Sequence, residues 1–228
     1  MGHSISNFKN MAKLREKQKE ERKRRILEAA RQQLRKASYR DVTIEAIAEE
    51  AGLSAMTVFN YYESKGGLLL SLVAESDRHL VTKIDKVLDT GFDDATAAVM
   101  TFSLTIFNHA FSYLDQRIWG HVLATSILKG SSTFGHGYAD LEQELVDLLA
   151  QLLLRLKQKH LVVPDCDTAI AASVIYNVHN ARFIEFASDP EVTRDVIDAL
   201  VRQDLRFIVK LITPEESEGT AKLTAFQQ

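Results

Sequence analysis

The stretch Thr43–Leu72, TIEAIAEEAGLSAMTVFNYYESKGGLLLSL, holds two short apolar-periodic pieces that meet at AGLS. Thr43 suits an N-cap, because its hydroxyl can accept from a free amide in the first helical turn. Ile44, Ile47 and Ala48 then point to one face. Gly52 ends this piece, since glycine takes the left-handed conformation without penalty. Ser54 is placed to cap the next piece, roughly residues 55–61. Ser64 caps a longer one that runs through LLLSLVAESDRHLVTKIDKVL. Helix, tight turn with glycine, helix is the helix-turn-helix pattern.

In that pattern the second helix lies in the major groove of double-stranded DNA, and its first residues reach base edges. Leu53, Val58, Phe59 and Tyr62 are expected to pack inward. Ser54, Ala55, Met56, Thr57, Asn60 and Tyr61 are left for the groove. Small or flexible apolar groups suit thymine methyls, Asn60 suits adenine, and Thr57 suits a base or a phosphate. Helix N-termini at Thr43 and at Ser64–Lys65 offer free N–H groups to phosphate oxygens, and Lys65 adds a full charge.

Working outward, the 228 residues are 46% hydrophobic and 26% charged, with only 3 Pro and 10 Gly, so helix breakers are scarce. Leu and charged residues alternate at helical spacing, and strand-like alternation bounded by hairpin signals is absent from the sequence. The expectation is an all-α protein of about nine helices. The first runs from about Met11 through the stripe Ile26, Leu27, Ala30, Leu34, with Glu20–Arg24 and Glu21–Arg25 as i,i+4 pairs. Later helices are expected at roughly 93–114, 117–128, 135–160, 166–188 and 191–212, with Asp165 or Asp167 capping the 166–188 helix. The expected division is a basic extension (1–20), a three-helix DNA-binding domain (21–72), a helical ligand-binding and dimerisation domain (73–213) and a tail (214–228).

Charge is uneven along the chain. The first 70 residues hold 14 Lys+Arg against 9 Asp+Glu, whereas the remainder holds 14 against 22. A basic end on an acidic body points the first part toward a polyanion. Between Lys9 and Arg25 there are 9 Lys+Arg and 3 Asp+Glu. That run reads either as an arm following the phosphate backbone or as a solvated helical extension. One cysteine, Cys166, permits no intrachain disulfide, and no secretory signal is visible, so a cytoplasmic location is expected. Polar residues interrupt the longest apolar run, which argues against a membrane span.

ILEAA in the first helix, TIEAIAEEAGLS across the turn and TVFNYYESK into the fourth helix together resemble the TetR-type (tetracycline-repressor-like) transcriptional regulators, over about residues 24–72. The resemblance implies that Thr43, the start of the recognition helix, Tyr61 and Lys65 stand at DNA-contacting positions. It also implies a homodimer, and a C-terminal helical domain that binds a small-molecule effector. Met56 departs from the small residue common at its position, Ser38 from a common Gly, and Gly66–Gly67 from a helix-favouring acidic pair. Two glycines cost a helix roughly 2 kcal/mol relative to alanines. That suggests a pliant start to the fourth helix, or close backbone approach to DNA.

Aromatics concentrate in the middle of the chain. Met100, Phe107, Phe111, Trp119, Phe134, Tyr176, His179 and Phe183 are the expected lining of a ligand pocket between helices, against plain core packing for any one of them. His109, His121, Asn177 and His179 are its candidate polar anchors. The expected dimer surface is Ala169, Ala172, Ser173, Tyr176, Asn180 and Phe183 on the penultimate helix, with Val192, Val196, Leu200, Leu205, Ile208 and Leu211 on the last. Two such helices per chain can build a four-helix bundle. A palindromic operator follows from two recognition helices on a two-fold axis.

No HExxH or Glu-x-x-His pair occurs, so neither metal nor cofactor is expected; a convergence of His121 with His136 is the weaker reading. Cys166 reads as a passive thiol, or as a redox sensor with lowered pKa near a helix N-terminus. No nucleophile elbow or triad signature supports an enzyme. The expectation is a ligand-responsive, DNA-binding repressor. The rivals are a helical small-molecule carrier or enzyme that uses the helix-turn-helix as scaffold, and a constitutive DNA-binding structural protein.

Overall fold

The computed structural model describes the backbone of residues 2–128 and 133–215, and the side chains of those spans except 2–10, 12, 77–78 and 133–138. The described residues form helices α1 (Gly2–Lys36), α2 (Ile44–Ala51), α3 (Ala55–Tyr62), α4 (Lys65–Leu88), α5 (Ala95–Tyr113), α6 (Gln116–Leu128), α7 (Thr133–Gln158), α8 (Thr168–Ser188) and α9 (Arg194–Lys210), with no strand among them. The all-α expectation stands. The first helix starts well before Met11, running without a break from Gly2.

The ends fall where side-chain oxygens meet free amides. Thr43 accepts from the Ala46 amide, Ser54 from Thr57, Ser64 from Gly67, Asp167 from Ala169 and Ile170, and Thr193 from Val196. Gly52 closes α2 at φ +64°, its N–H turned back to the Ala48 and Glu49 carbonyls. A Cβ there would also stand 2.7 Å from the Arg25 guanidinium. Neither expected i,i+4 pair, Glu20–Arg24 or Glu21–Arg25, is among the ion pairs of the described residues, and Arg25 is engaged elsewhere. Its guanidinium donates to the Ala51 and Gly52 carbonyls, while Glu20 and Glu21 pair one residue earlier, with Lys23 and Arg24.

Packing groups the chain into two compact units. The first comprises Met1–His79 and Ala110–Leu141, and the second Leu80–His109 and Glu142–Gln228. Sequence order does not follow packing order here, because α4, α5 and α7 each divide between units. In the first unit α1 packs on α2 and α2 on α3. Ile26, Ala30, Ile47, Ala48, Val58, Leu68 and Leu72 are fully buried there. In the second unit α8 packs on α9, and Phe102, Phe107, Leu149, Leu153, Ala172, Ile175, Ile197, Val201, Leu205 and Val209 form the core. No helix of the described residues is long and apolar enough to cross a membrane.

Candidate nucleic-acid interface

Helix α3 is eight residues long and is held from one side. Val58 is fully buried and Tyr62 nearly so. Tyr62 donates its hydroxyl to the Lys23 carbonyl of α1, and burial pushes its pKa up. Opposite them, Met56, Phe59 and Asn60 are exposed. Phe59 corrects the expectation that it packs inward: at 53% exposed it shares the outward stripe with Met56 at 67%. Residues 56, 59, 60 and 63 follow helical spacing, so the signal was present; an apolar residue type was read as a buried one. Ala55 and Tyr61 are half-buried at the edges of this stripe. Tyr61 lines a groove with Lys23, Arg24 and Leu27 of α1 and Ser71 and Glu75 of α4.

The polar candidates differ in how free they are. Thr43 and Ser54 are exposed, but each hydroxyl already serves as an N-cap. Thr57, half-buried, shares a 2.8 Å hydroxyl–hydroxyl bond with Ser54. Lys65 departs furthest from its expected role. Its ammonium donates to the carbonyls of Tyr39 (2.6 Å), Val42 (2.8 Å) and Arg40 (3.3 Å) and lies 4.4 Å from the centre of the Tyr39 ring. An ammonium has three protons, and three carbonyls take them. Lys65 thus braces the α1–α2 turn instead of offering a free charge to phosphate. The Tyr39 ring also stacks on His121 at 4.5 Å. Burial, with Arg40 and Lys65 nearby, holds His121 below the ordinary histidine range.

The expected ligand-lining residues are divided between the two units. Phe111 and Trp119 lie in the first unit, ring centres 6.3 Å apart. Trp119 donates its indole N–H to the Ala110 carbonyl. Phe111 borders a cleft of about 200 Å³ with Arg31, Leu34, Tyr113 and Ile118. Met100, Phe107, Tyr176, His179 and Phe183 lie in the second unit, all buried. There Phe107 meets His179 at 4.9 Å and Phe183 at 5.5 Å, both edge-on, and Tyr176 lies 5.7 Å from His179. Ser103, buried and unnoticed in the sequence, shares a 2.5 Å hydrogen bond with His179 Nδ1. Burial pushes the His179 pKa down to about 3, so the ring is neutral. The Phe134 and His136 side chains lie outside the described residues.

Of the other proposed anchors, His109 is buried and receives a hydrogen bond from Lys83, while Asn177 is exposed. Among the described residues no three His, Cys, Asp or Glu side chains converge. Burial pushes the Cys166 thiol up, against the activated-sensor reading.

The proposed dimer stripe on α8 is also corrected. Ala172, Tyr176 and Phe183 turn into their own unit, and Asn180 donates to Glu142 at 3.1 Å. The exposed apolar side chains of α8 are instead Ile170, Val174 and Ile184. On α9 Val196 and Leu211 are exposed as expected, Phe207 joins them, and Leu205 is buried.

A short helix held by its apolar side, entered by a tight glycine turn and exposing its other side, is the head of a helix-turn-helix DNA-binding protein. Residues 26–72 match the family described as bacterial regulatory proteins, tetR family, so this segment is a TetR-type DNA-binding domain. HTH-type transcriptional regulator EthR of Mycolicibacterium smegmatis is 23% identical over 167 residues, covering 72% of this chain and 73% of EthR. Among solved structures, a TetR-family regulator of Pectobacterium atrosepticum superposes with TM-score 0.66 at 20% identity, over 85% of this chain and 95% of that one. The FadR regulator of Bacillus subtilis, solved with stearoyl-CoA, gives TM-score 0.62 at 16% identity, over 82% and 98%.

Proposed function

We propose that the chain is a homodimeric repressor that holds a palindromic operator and is released from it by a small, mostly apolar ligand. The observation that carries the DNA-reading part is the α3 stripe. Met56, Phe59 and Asn60 stand exposed on a helix whose opposite side is anchored by Val58. In a dimer, two such helices about 34–36 Å apart read successive major-groove faces. Thr43, Ser54, Ala55, Thr57 and Tyr61 complete the contact set, with amides and cap hydroxyls meeting phosphate oxygens.

Dimerisation through α8 and α9 is supported by Ile170, Val174, Ile184, Val196, Phe207 and Leu211, which leave apolar area open on two helices packed together. Effector binding is placed around the α5–α8 rings, with Ser103 and His179 as the polar pair among Phe107, Tyr176 and Phe183. The stearoyl-CoA on the Bacillus subtilis FadR supports a long apolar chain as the first ligand class to try. A 100-fold loss of operator affinity needs only about 2.7 kcal/mol of differential binding.

The test begins with operator selection from a random-sequence DNA pool, followed by titration of the selected duplex. Phe59→Ala should weaken operator binding while leaving the melting temperature unchanged. Acyl-chain ligands should raise the melting temperature and release the duplex. Enrichment of no sequence would reject the regulator reading, and retained binding whatever the ligand would leave a constitutive DNA-binding protein.

A further inference from the structure

Helix α1 continues well upstream of its buried stripe. Its buried stripe begins at Ile26, with Leu27, Ala29, Ala30 and Leu34. Upstream, every described side chain from Met11 to Arg22 is exposed. The 21 residues from Gly2 to Arg22 extend the helix by about 30 Å at 1.5 Å per residue.

The charges on that extension are unbalanced in a specific way. Glu20 and Glu21 are spent on Lys23 and Arg24. Lys13, Arg15, Lys17, Lys19 and Arg22 share that stretch with one further acid, Glu16, and Lys17 also lies near Glu21. Lys13 and Lys17 stand four apart on one side of the helix; Arg15, Lys19 and Arg22 follow helical spacing on another. Like charges four apart destabilise a bare helix. A polyanion lying against it turns that repulsion into attraction. The extension also starts at the right place. Lys23 accepts the Tyr62 hydroxyl from the end of α3, Lys23 and Arg24 border the groove beside Tyr61, and Arg25 holds the α2–α3 turn.

We propose that this extension is a second, sequence-independent DNA contact: a helical rod whose Lys13, Arg15, Lys17, Lys19 and Arg22 meet phosphates flanking the site read by α3. The inference rests on the α3 reading. Residues 11–25 hold no aromatic side chain to stack on bases, and their charged side chains are mostly cationic, as phosphate contacts require, so the contact is taken as electrostatic. It adds affinity equally on every sequence.

The experiment compares the full chain with a variant in which Lys13, Arg15, Lys17, Lys19 and Arg22 are all Gln, and with a control in which the three lysines are Arg. Binding is titrated against salt on a mixed-sequence duplex several turns long and on the selected operator. Each phosphate contact removed should flatten the slope of log affinity against log salt by roughly 0.9. The Gln variant should therefore lose several such steps and its flanking hydroxyl-radical protection, keep its ratio of operator to mixed-sequence affinity, and be matched to the parent by the Arg control. An unchanged slope and footprint in the Gln variant, with the full chain binding the operator, overturns this proposal alone. A fall in the sequence ratio overturns its sequence-independence. Failure of the full chain to bind any duplex overturns the α3 reading and this one with it.

Discussion

At the scale of single residues, Lys65 and His179 show how neighbours redefine a side chain. Lys65 carries a charge beside a helix N-terminus, but its protons go to the Tyr39, Arg40 and Val42 carbonyls. Lys65→Met keeps the aliphatic stem and removes the donors. It should cost about 2 kcal/mol of stability, as a charged hydrogen-bonding group does, and lower the melting temperature. A residue that only bound phosphate would leave the melting temperature of the free protein unmoved. His179 sits neutral in the core with its pKa down at about 3. As pH falls below the ordinary histidine value, the unfolded chain takes up a proton that the folded one refuses. Stability is then lost as pH drops from about 6.5 toward 3, by up to about 1.4 kcal/mol per pH unit. His179→Gln retains a partner for Ser103 and should remove that part of the acid slope in urea titrations.

At the scale of elements, α3 is a helix whose end is strained. Glu63 terminates it at φ +59°, in the left-handed region. A residue with a Cβ pays roughly 1–2 kcal/mol there, which glycine avoids. Glu63→Gly should raise stability by about 1 kcal/mol, read as a shift in the urea midpoint at constant slope. It also removes a carboxylate from the exposed side of the helix, so operator affinity should rise. The caps were legible beforehand, because Thr43, Ser54, Ser64 and Gly52 act on amides and carbonyls within four residues of themselves. The facing of Phe59 was legible too, since its spacing fits the outward stripe, but its apolar residue type points the other way and packing had to decide between them.

At the scale of the whole molecule, the open question for a dimer is which apolar surface is spare. Helix α8 is apolar on both sides. Ala172, Ile175, Tyr176, Phe183 and Phe186 go inward, and Ile170, Val174 and Ile184 stay outside. Val174→Glu with Phe207→Glu would put carboxylates on the outer surface without touching the inner one. The doubly substituted chain should elute at half the parent mass in size-exclusion chromatography. Losing the paired contact should cost operator affinity on the order of 100-fold or more. Unchanged mass would move the dimer surface elsewhere.

The sequence by itself determined the all-α class, the helix-turn-helix and nearly every helix end, because these follow from bonds between residues a few positions apart. It also determined that the basic charge gathers at one end of the chain. Tertiary structure decided which face of α8 is inner, that Arg25 goes to the Ala51 and Gly52 carbonyls and not to Glu21, and that Lys65 is a brace. Each of those depends on a neighbour distant in sequence. A helix apolar on two sides, or a cation with several acceptors in reach, has no preference until packing supplies one.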